Sequence, residues 1–216
     1  MSLMPVPPPA ATLRAVGTFL LALTLTSAAA TAAFVDVAPE AGLVRDPALR
    51  PEGTPPPGVD PYVTGSPLCA ADLDRDGWTD LLACPTPYDL RVFMNRGDGT
   101  FADEAAARGF AGIADIAGIA AGDLDNDGDT DVVLVPRRGP RYFLLINDGT
   151  AHFTEQAVER GADSTVTGDP HFGQSIALVD YDRDGFLDIH ITEWGVPGSA
   201  DSHLHATLLR NRGAEK

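Results

Sequence analysis

One nine-residue pattern, Asp-x-Asp-x-Asp-Gly-x-x-Asp, is written three times in this chain and limits what it can become. The copies are Asp72, Asp74, Asp76, Gly77 and Asp80; Asp123, Asp125, Asp127, Gly128 and Asp131; and Asp180, Asp182, Asp184, Gly185 and Asp188. They begin 51 and then 57 residues apart (72 to 123, 123 to 180). A motif returning at a period of several tens of residues marks a chain built from like supersecondary units. Four carboxylates within nine residues also repel one another unless a cation lies among them.

Two further elements keep step with the aspartates. Phe-x-acid-x-Ala-x-x-x-Gly occurs as Phe34, Asp36, Ala38, Gly42; as Phe101, Asp103, Ala105, Gly109; and as Phe153, Glu155, Ala157, Gly161. An apolar run ending in Asn and a glycine turn occurs before Asn95, Asn147 and Asn211. Short runs rich in Val, Ile and Leu flank each aspartate cluster, at 68–71 and 81–84, 119–121 and 132–135, 176–179 and 189–192. Such runs, broken by Gly and Pro, predict strands rather than long helices. The Asn-x-Gly-Asp-Gly stretch supplies a hairpin turn, and the Phe motif starts a fourth short strand or turn. Each unit therefore holds about four strands.

The carboxylate spacing suits calcium. That ion takes six to eight oxygens, and a loop offering positions one, three, five, seven and nine can wrap it, with Gly after position five for the turn. Position seven gives only its main-chain carbonyl, which lets Trp78, Asp129 and Phe186 occupy it interchangeably. An EF-hand needs a Glu at position twelve and a following helix, whereas Ala83, Leu134 and Ile191 stand there in strand-like runs. Tandem calcium nonapeptides are excluded by the wide spacing. Magnesium keeps its water shell and fits less well. About three calcium sites are expected.

The run Phe172-Gly173-Gln174-Ser175-Ile176-Ala177, leading into Asp180, resembles the FG-GAP repeat of integrin α-subunit propellers. The Phe34–Gly42 and Asn95–Phe101 elements resemble bacterial VCBS-type repeats and cartilage acidic protein relatives. The resemblance implies an all-β fold, a partial β-propeller of about three four-stranded blades with calcium-binding hairpin loops. It carries over the aspartates named above and implies adhesion, ligand binding, or a propeller attached to another module. The expected organisation is a leader over 1–32, an N-terminal strand and Pro/Gly-rich connection over 33–65, and blades over 66–109, 117–161 and 173–216, the last incomplete. Propellers close with about four to eight blades, and a third Phe would fall one place beyond Lys216. A fragment of a longer protein is the expectation. The alternative is self-association, with Phe34–Val37 supplying the missing strand of a neighbour's third blade.

Arg14 precedes an apolar run from Ala15 to Leu25 and a small-residue tail, the pattern of a secretory leader cleaved after Ala30 or Ala32. That run is too short to span a bilayer. The protein is expected to be secreted or periplasmic. Its formal net charge of -16 argues against nucleic acid as a partner, and 44% hydrophobic residues argue against disorder. Cys69 and Cys84 flank the first aspartate cluster, and both a disulfide across the hairpin and two buried thiols are open readings.

Other motifs read as structure. Arg96-Gly97-Asp98 lies inside a hairpin turn signal. Ser175 lacks the second Gly and the following helix of a nucleophile elbow. His190, His203 and His205 lack fixed ligand spacing and read as solvated positions, as do Arg137, Arg138 and Arg141. No convincing nucleophile and base pair stands out. The preferred function is thus a non-catalytic binding or adhesion module stiffened by calcium, with an unidentified protein or carbohydrate ligand. The rival is the propeller portion of a secreted enzyme, one acting on polysaccharide, whose catalytic residues lie elsewhere.

Overall fold

The computed structural model describes residues 34–43, 66–85, 89–139, 141–163, 172–194 and 204–213. The expected leader, most of the Pro/Gly-rich connection and His203 lie outside them. Among the described residues no helix is long and apolar enough to cross a membrane.

Among the described residues, eleven strands form three antiparallel meanders. The first is β1 (Leu68–Ala71), β2 (Asp80–Ala83), β3 (Arg91–Asn95) and β4 (Phe101–Asp103), paired in that order. The second is β5 (Ile116–Gly122), β6 (Asp131–Pro136), β7 (Phe143–Asn147) and β8 (Phe153–Glu155), followed by the one-turn helix α1 (Ala157–Arg160). The third has three strands, β9 (Phe172–Val179), β10 (Asp188–Trp194) and β11 (Leu204–Leu209), with β11 at its edge. The fold is therefore all-β, as expected, with two four-stranded sheets and a three-stranded one. All three belong to one compact unit, Asp36–Lys216; of the other, Met1–Val35, only Phe34 and Val35 are described.

Burial follows the two-residue period of a strand. In the middle sheet every residue from Val132 to Val135 is buried, because this sheet is covered on both faces. Val132 and Leu134 pack with Leu73, Leu82 and Val92 of the first sheet. Val133 and Val135 point the other way and pack with Ile189 and Ile191 of the third. The first strands are neighbours, β1 beside β5 and β5 beside β9, so the sheets fan out from a common inner edge. This is the blade arrangement of a propeller.

Close approach explains one glycine of the Phe-Gly pair. A Cβ on Gly173 would collide with Val135 and the Pro136 carbonyl, so β9 meets β6 closely only if this position is bare.

The cysteines follow the thiol reading of the two left open, and one expectation, the solvated arginines, is corrected. Cys69 and Cys84 are not bridged. The hairpin register sets Cys69 opposite Leu82, and the Cys84 N–H donates to the Pro67 carbonyl, so the thiols sit two rungs out of step. Burial raises both thiol pKa values, and the Cys84 sulfur accepts the Ile116 N–H. The arginines after β6 are also not simply solvated. Arg137 is buried and makes a two-pronged pair with Asp115 at 2.8 and 3.1 Å. Arg141 bonds Glu155 at 2.9 Å and lies over Phe143, and Arg138 lies over Phe172.

Candidate metal centres

Each aspartate cluster occupies the loop between the first and second strands of its sheet, and the three loops share one hydrogen-bond scheme. The first aspartate takes the glycine N–H: Gly77 to Asp72 at 2.9 Å, Gly128 to Asp123 at 3.1 Å and Gly185 to Asp180 at 3.1 Å. The third caps position seven: Trp78 N–H to Asp76, Asp129 to Asp127 and Phe186 to Asp184, at 2.8, 2.9 and 3.0 Å. The fourth accepts from position two: Leu73 to Asp80, Leu124 to Asp131 and Tyr181 to Asp188, at 3.0, 2.9 and 3.1 Å. Its other oxygen takes the N–H of the asparagine at or just after the end of the third strand, Asn95, Asn147 or Asn211, at 2.7, 2.9 and 2.7 Å.

The loops curl because Arg75, Asn126 and Arg183 take positive φ, as do Gly77, Gly128 and Gly185 at 88°, 92° and 92°. Curling brings carboxylates together. Asp72, Asp74 and Asp80 each place an oxygen within 4.8 Å of the others, as do Asp123, Asp125 and Asp127, and Asp180, Asp182 and Asp188. Asp76, Asp131 and Asp184 lie in the same loops, engaged in the bonds above.

Position seven turns its side chain elsewhere. A Cβ on Gly97, Gly149 or Gly213 would run into Trp78, Asp129 or Phe186 respectively, so each rests on the bare glycine of its own sheet's Asn-x-Gly turn. Asp129 also pairs with Arg75 at 2.6 Å. The side chains at this position are thus taken up by these contacts, and the main-chain carbonyl remains the group available to an ion.

The electrostatics fit a cation. Asp72 Oδ1 and Asp125 Oδ1 are buried without a hydrogen-bond partner, a state that costs a carboxylate heavily unless an ion serves it. Asp125 turns its other oxygen outward to Arg160 at 2.9 Å. Arg210 reaches Asp182 at 2.6 Å and Asp184 at 3.2 Å. Burial lifts the Asp80 carboxyl above the usual range, and burial, with Asp125 and Asp127 adding repulsion, raises Asp131 to about 6. Oxygen-only donors in a curled loop suit a hard divalent ion.

Sequence reasoning missed the asparagines as connectors. Asn147 Nδ2 donates to the Leu73 carbonyl of the first loop at 2.8 Å, and Asn211 Nδ2 to the Leu124 carbonyl of the second at 2.6 Å. Asn126 Nδ2 reaches Gly185 at 2.9 Å. Their signal was present, since Asn95, Asn147 and Asn211 recur at or just after the end of the third strand of each unit.

The Arg96-Gly97-Asp98 segment is a turn. Gly97 and Gly99 have positive φ, and Asp98 Oδ1 accepts from the Thr100 N–H at 2.9 Å and its hydroxyl at 2.6 Å. Those bonds pull the Asp98 carboxyl below the ordinary range. Asp148 repeats them with Thr150.

Known proteins share this pattern. The FG-GAP-like repeat model matches residues 72–134 and 123–191. Human cartilage acidic protein 1 is 26% identical over 162 residues, covering 72% of this chain and 23% of that protein. Integrin alpha-4 of Xenopus laevis is 32% identical over 169 residues, covering 68% and 15%. Mouse integrin alpha-E is 28% identical over 175 residues, covering 68% and 14%. The chain thus spans less than a quarter of these relatives' length. With matched repeats over more than half of its residues and the same loop in each of three sheets, the chain belongs to the FG-GAP-like repeat family.

Proposed function

We propose that this chain is an exported, non-catalytic binding or adhesion module whose blades are stiffened by calcium in the three aspartate loops. The carrying observation is the pair of buried, unpartnered oxygens Asp72 Oδ1 and Asp125 Oδ1 inside loops that draw several carboxylates together. Asp72, Asp74, Asp76 and Asp80, with the Trp78 carbonyl, would hold the first ion. Asp123, Asp125, Asp127 and Asp131, with the Asp129 carbonyl, would hold the second, and Asp180, Asp182, Asp184 and Asp188, with the Phe186 carbonyl, the third. Calcium supplies charge neutralisation, not chemistry at a substrate. The leader-like segment 1–32 and the family's resemblance to integrin α-subunit propellers support a secreted or periplasmic setting and a protein or carbohydrate ligand.

Extracellular calcium sites bind at about 0.1 to 1 mM, so about 1 mM calcium adds around 1 kcal/mol per loop. Melting curves in calcium and in EGTA test the reading. A melting temperature raised by about 5 to 10 °C in calcium supports it; identical curves overturn it.

A further inference from the structure

Two kinds of tie join the three aspartate loops. The first runs from position four of one loop to the turn of the next. Arg75 pairs with Asp129, position seven of the second loop, at 2.6 Å, and Asn126 Nδ2 donates to the carbonyl of Gly185, position six of the third, at 2.9 Å. The second kind runs back. Asn147 Nδ2 donates to the carbonyl of Leu73, position two of the first loop, at 2.8 Å, and Asn211 Nδ2 to that of Leu124, position two of the second, at 2.6 Å. Each junction between neighbouring loops therefore carries one tie in each direction, and the second loop or its asparagine takes part in all four.

Every tie ends on a residue that also holds one of the clustered carboxylates. The Asp129 N–H donates to Asp127 at 2.9 Å, and the Gly185 N–H to Asp180 at 3.1 Å. Leu73 N–H donates to Asp80 at 3.0 Å and Leu124 N–H to Asp131 at 2.9 Å. A change of shape in one loop is thus passed to carboxylates of the next.

Position four reaches its target from the curled loop. Arg75 and Asn126 have φ of 60° and 59°, a conformation that residues with a side chain adopt at a cost. The four carboxylates of a loop repel one another and favour its opening, whereas a cation among them favours the curl. Curling of the first loop sets the half-exposed Arg75 guanidinium against the buried Asp129. A Cβ on Gly149 would run into both side chains, so the pair lies over that bare turn. A loop that is already curled therefore lowers the cost of ordering its neighbour.

We propose that the loops bind calcium cooperatively: an ion in one loop raises the affinity of its neighbour, through the Arg75–Asp129 pair between the first and second loops and the Asn126–Gly185 bond between the second and third. The inference rests on the calcium reading of the loops and adds how the sites act on one another. Repulsion between ions does not reverse the sign, because four carboxylates outweigh one divalent cation and leave a loaded loop negative. Nor does the arginine, whose charge is matched by Asp129, a residue that offers the ion only its carbonyl. Coupling of this kind is reciprocal, so the first loop helps the second by the same factor as the second helps the first.

Trp78 reports on the first loop, since its N–H donates to Asp76 at 2.8 Å and its indole rests on Gly97. With Trp194→Phe it is the one tryptophan left of the chain's two, and its fluorescence follows calcium at that loop in the full chain. Emptying the second loop with Asp123→Asn and Asp125→Asn should weaken calcium at the first by about 5-fold or more. Replacing the pair, Arg75→Gly with Asp129→Asn, should shrink that factor. Glycine keeps the positive φ, and one charge of each sign is removed, so the long-range field stays as it was. With all three loops intact, the Trp78 titration should be steeper than single-site binding, and the pair replacement should flatten it; this second reading needs no emptied loop. A first-loop affinity indifferent to Asp123 and Asp125, or a factor that survives loss of the pair, overturns the proposal and leaves the calcium reading standing. A chain that takes up no calcium sinks both.

Discussion

The Asn147 side chain of the second sheet donates to the carbonyl of Leu73, near the start of the first sheet's aspartate loop, at 2.8 Å. The main-chain N–H of the same Asn147 donates to Asp131 of the second loop at 2.9 Å. Asn211 repeats both bonds one sheet on, to Leu124 and to Asp188. Neighbouring loops are thus tied in series through one asparagine each.

Asn147→Ala should cost about 1 to 3 kcal/mol, since it strands the Leu73 and Thr130 carbonyls in a buried site. Asn95→Ala should cost less, because among the described residues its amide donates only to Thr79. Urea unfolding of the two variants compares them directly; equal losses would contradict the connector role.

How much of this was legible beforehand depends on range. The aspartate and asparagine repeats, the strand positions and the turn at Arg96-Gly97-Asp98 are local patterns, and each was readable from spacing and residue type. The bond from Asn147 to Leu73 joins residues 74 positions apart, which no local pattern encodes. Arg137 read as solvated because its partner, Asp115, lies 22 positions away, just ahead of the opposite strand of the hairpin. The cysteines looked symmetric about the first cluster, but register, not symmetry in sequence, decides which side chains face each other. Cys69 consequently faces Leu82.

Thiol titration follows from that register. Unfolded, unreduced protein should show two reactive thiols per chain, and the native protein should react slowly because burial raises both pKa values. No reactive thiol after unfolding would contradict the unbridged pair.

Protons should compete with calcium at the second loop. The Asp131 carboxyl is held at about 6, above its unfolded value. Its protonated form therefore stabilises the calcium-free fold, fully below about pH 4, and this contribution is lost as pH rises through about 6. Calcium needs the charged form, so calcium affinity at this loop should fall about tenfold for each pH unit below about 6. Calcium titrations at pH 7 and pH 5 measure it; an unchanged affinity would contradict the assignment.

Gly173→Ala should destabilise by about 1 to 3 kcal/mol by forcing β9 away from Val135 and Pro136. Thermal melts test this, and a variant as stable as the parent would show that the two strands do not meet so closely.

The aspartate loops as calcium sites are tested most directly by counting bound ions. Equilibrium dialysis of metal-stripped protein against calcium should give close to three ions per chain, and close to two after Asp123→Asn with Asp125→Asn. A folded protein that takes up no calcium at millimolar concentration, or the same amount with and without those two carboxylates, would contradict the account.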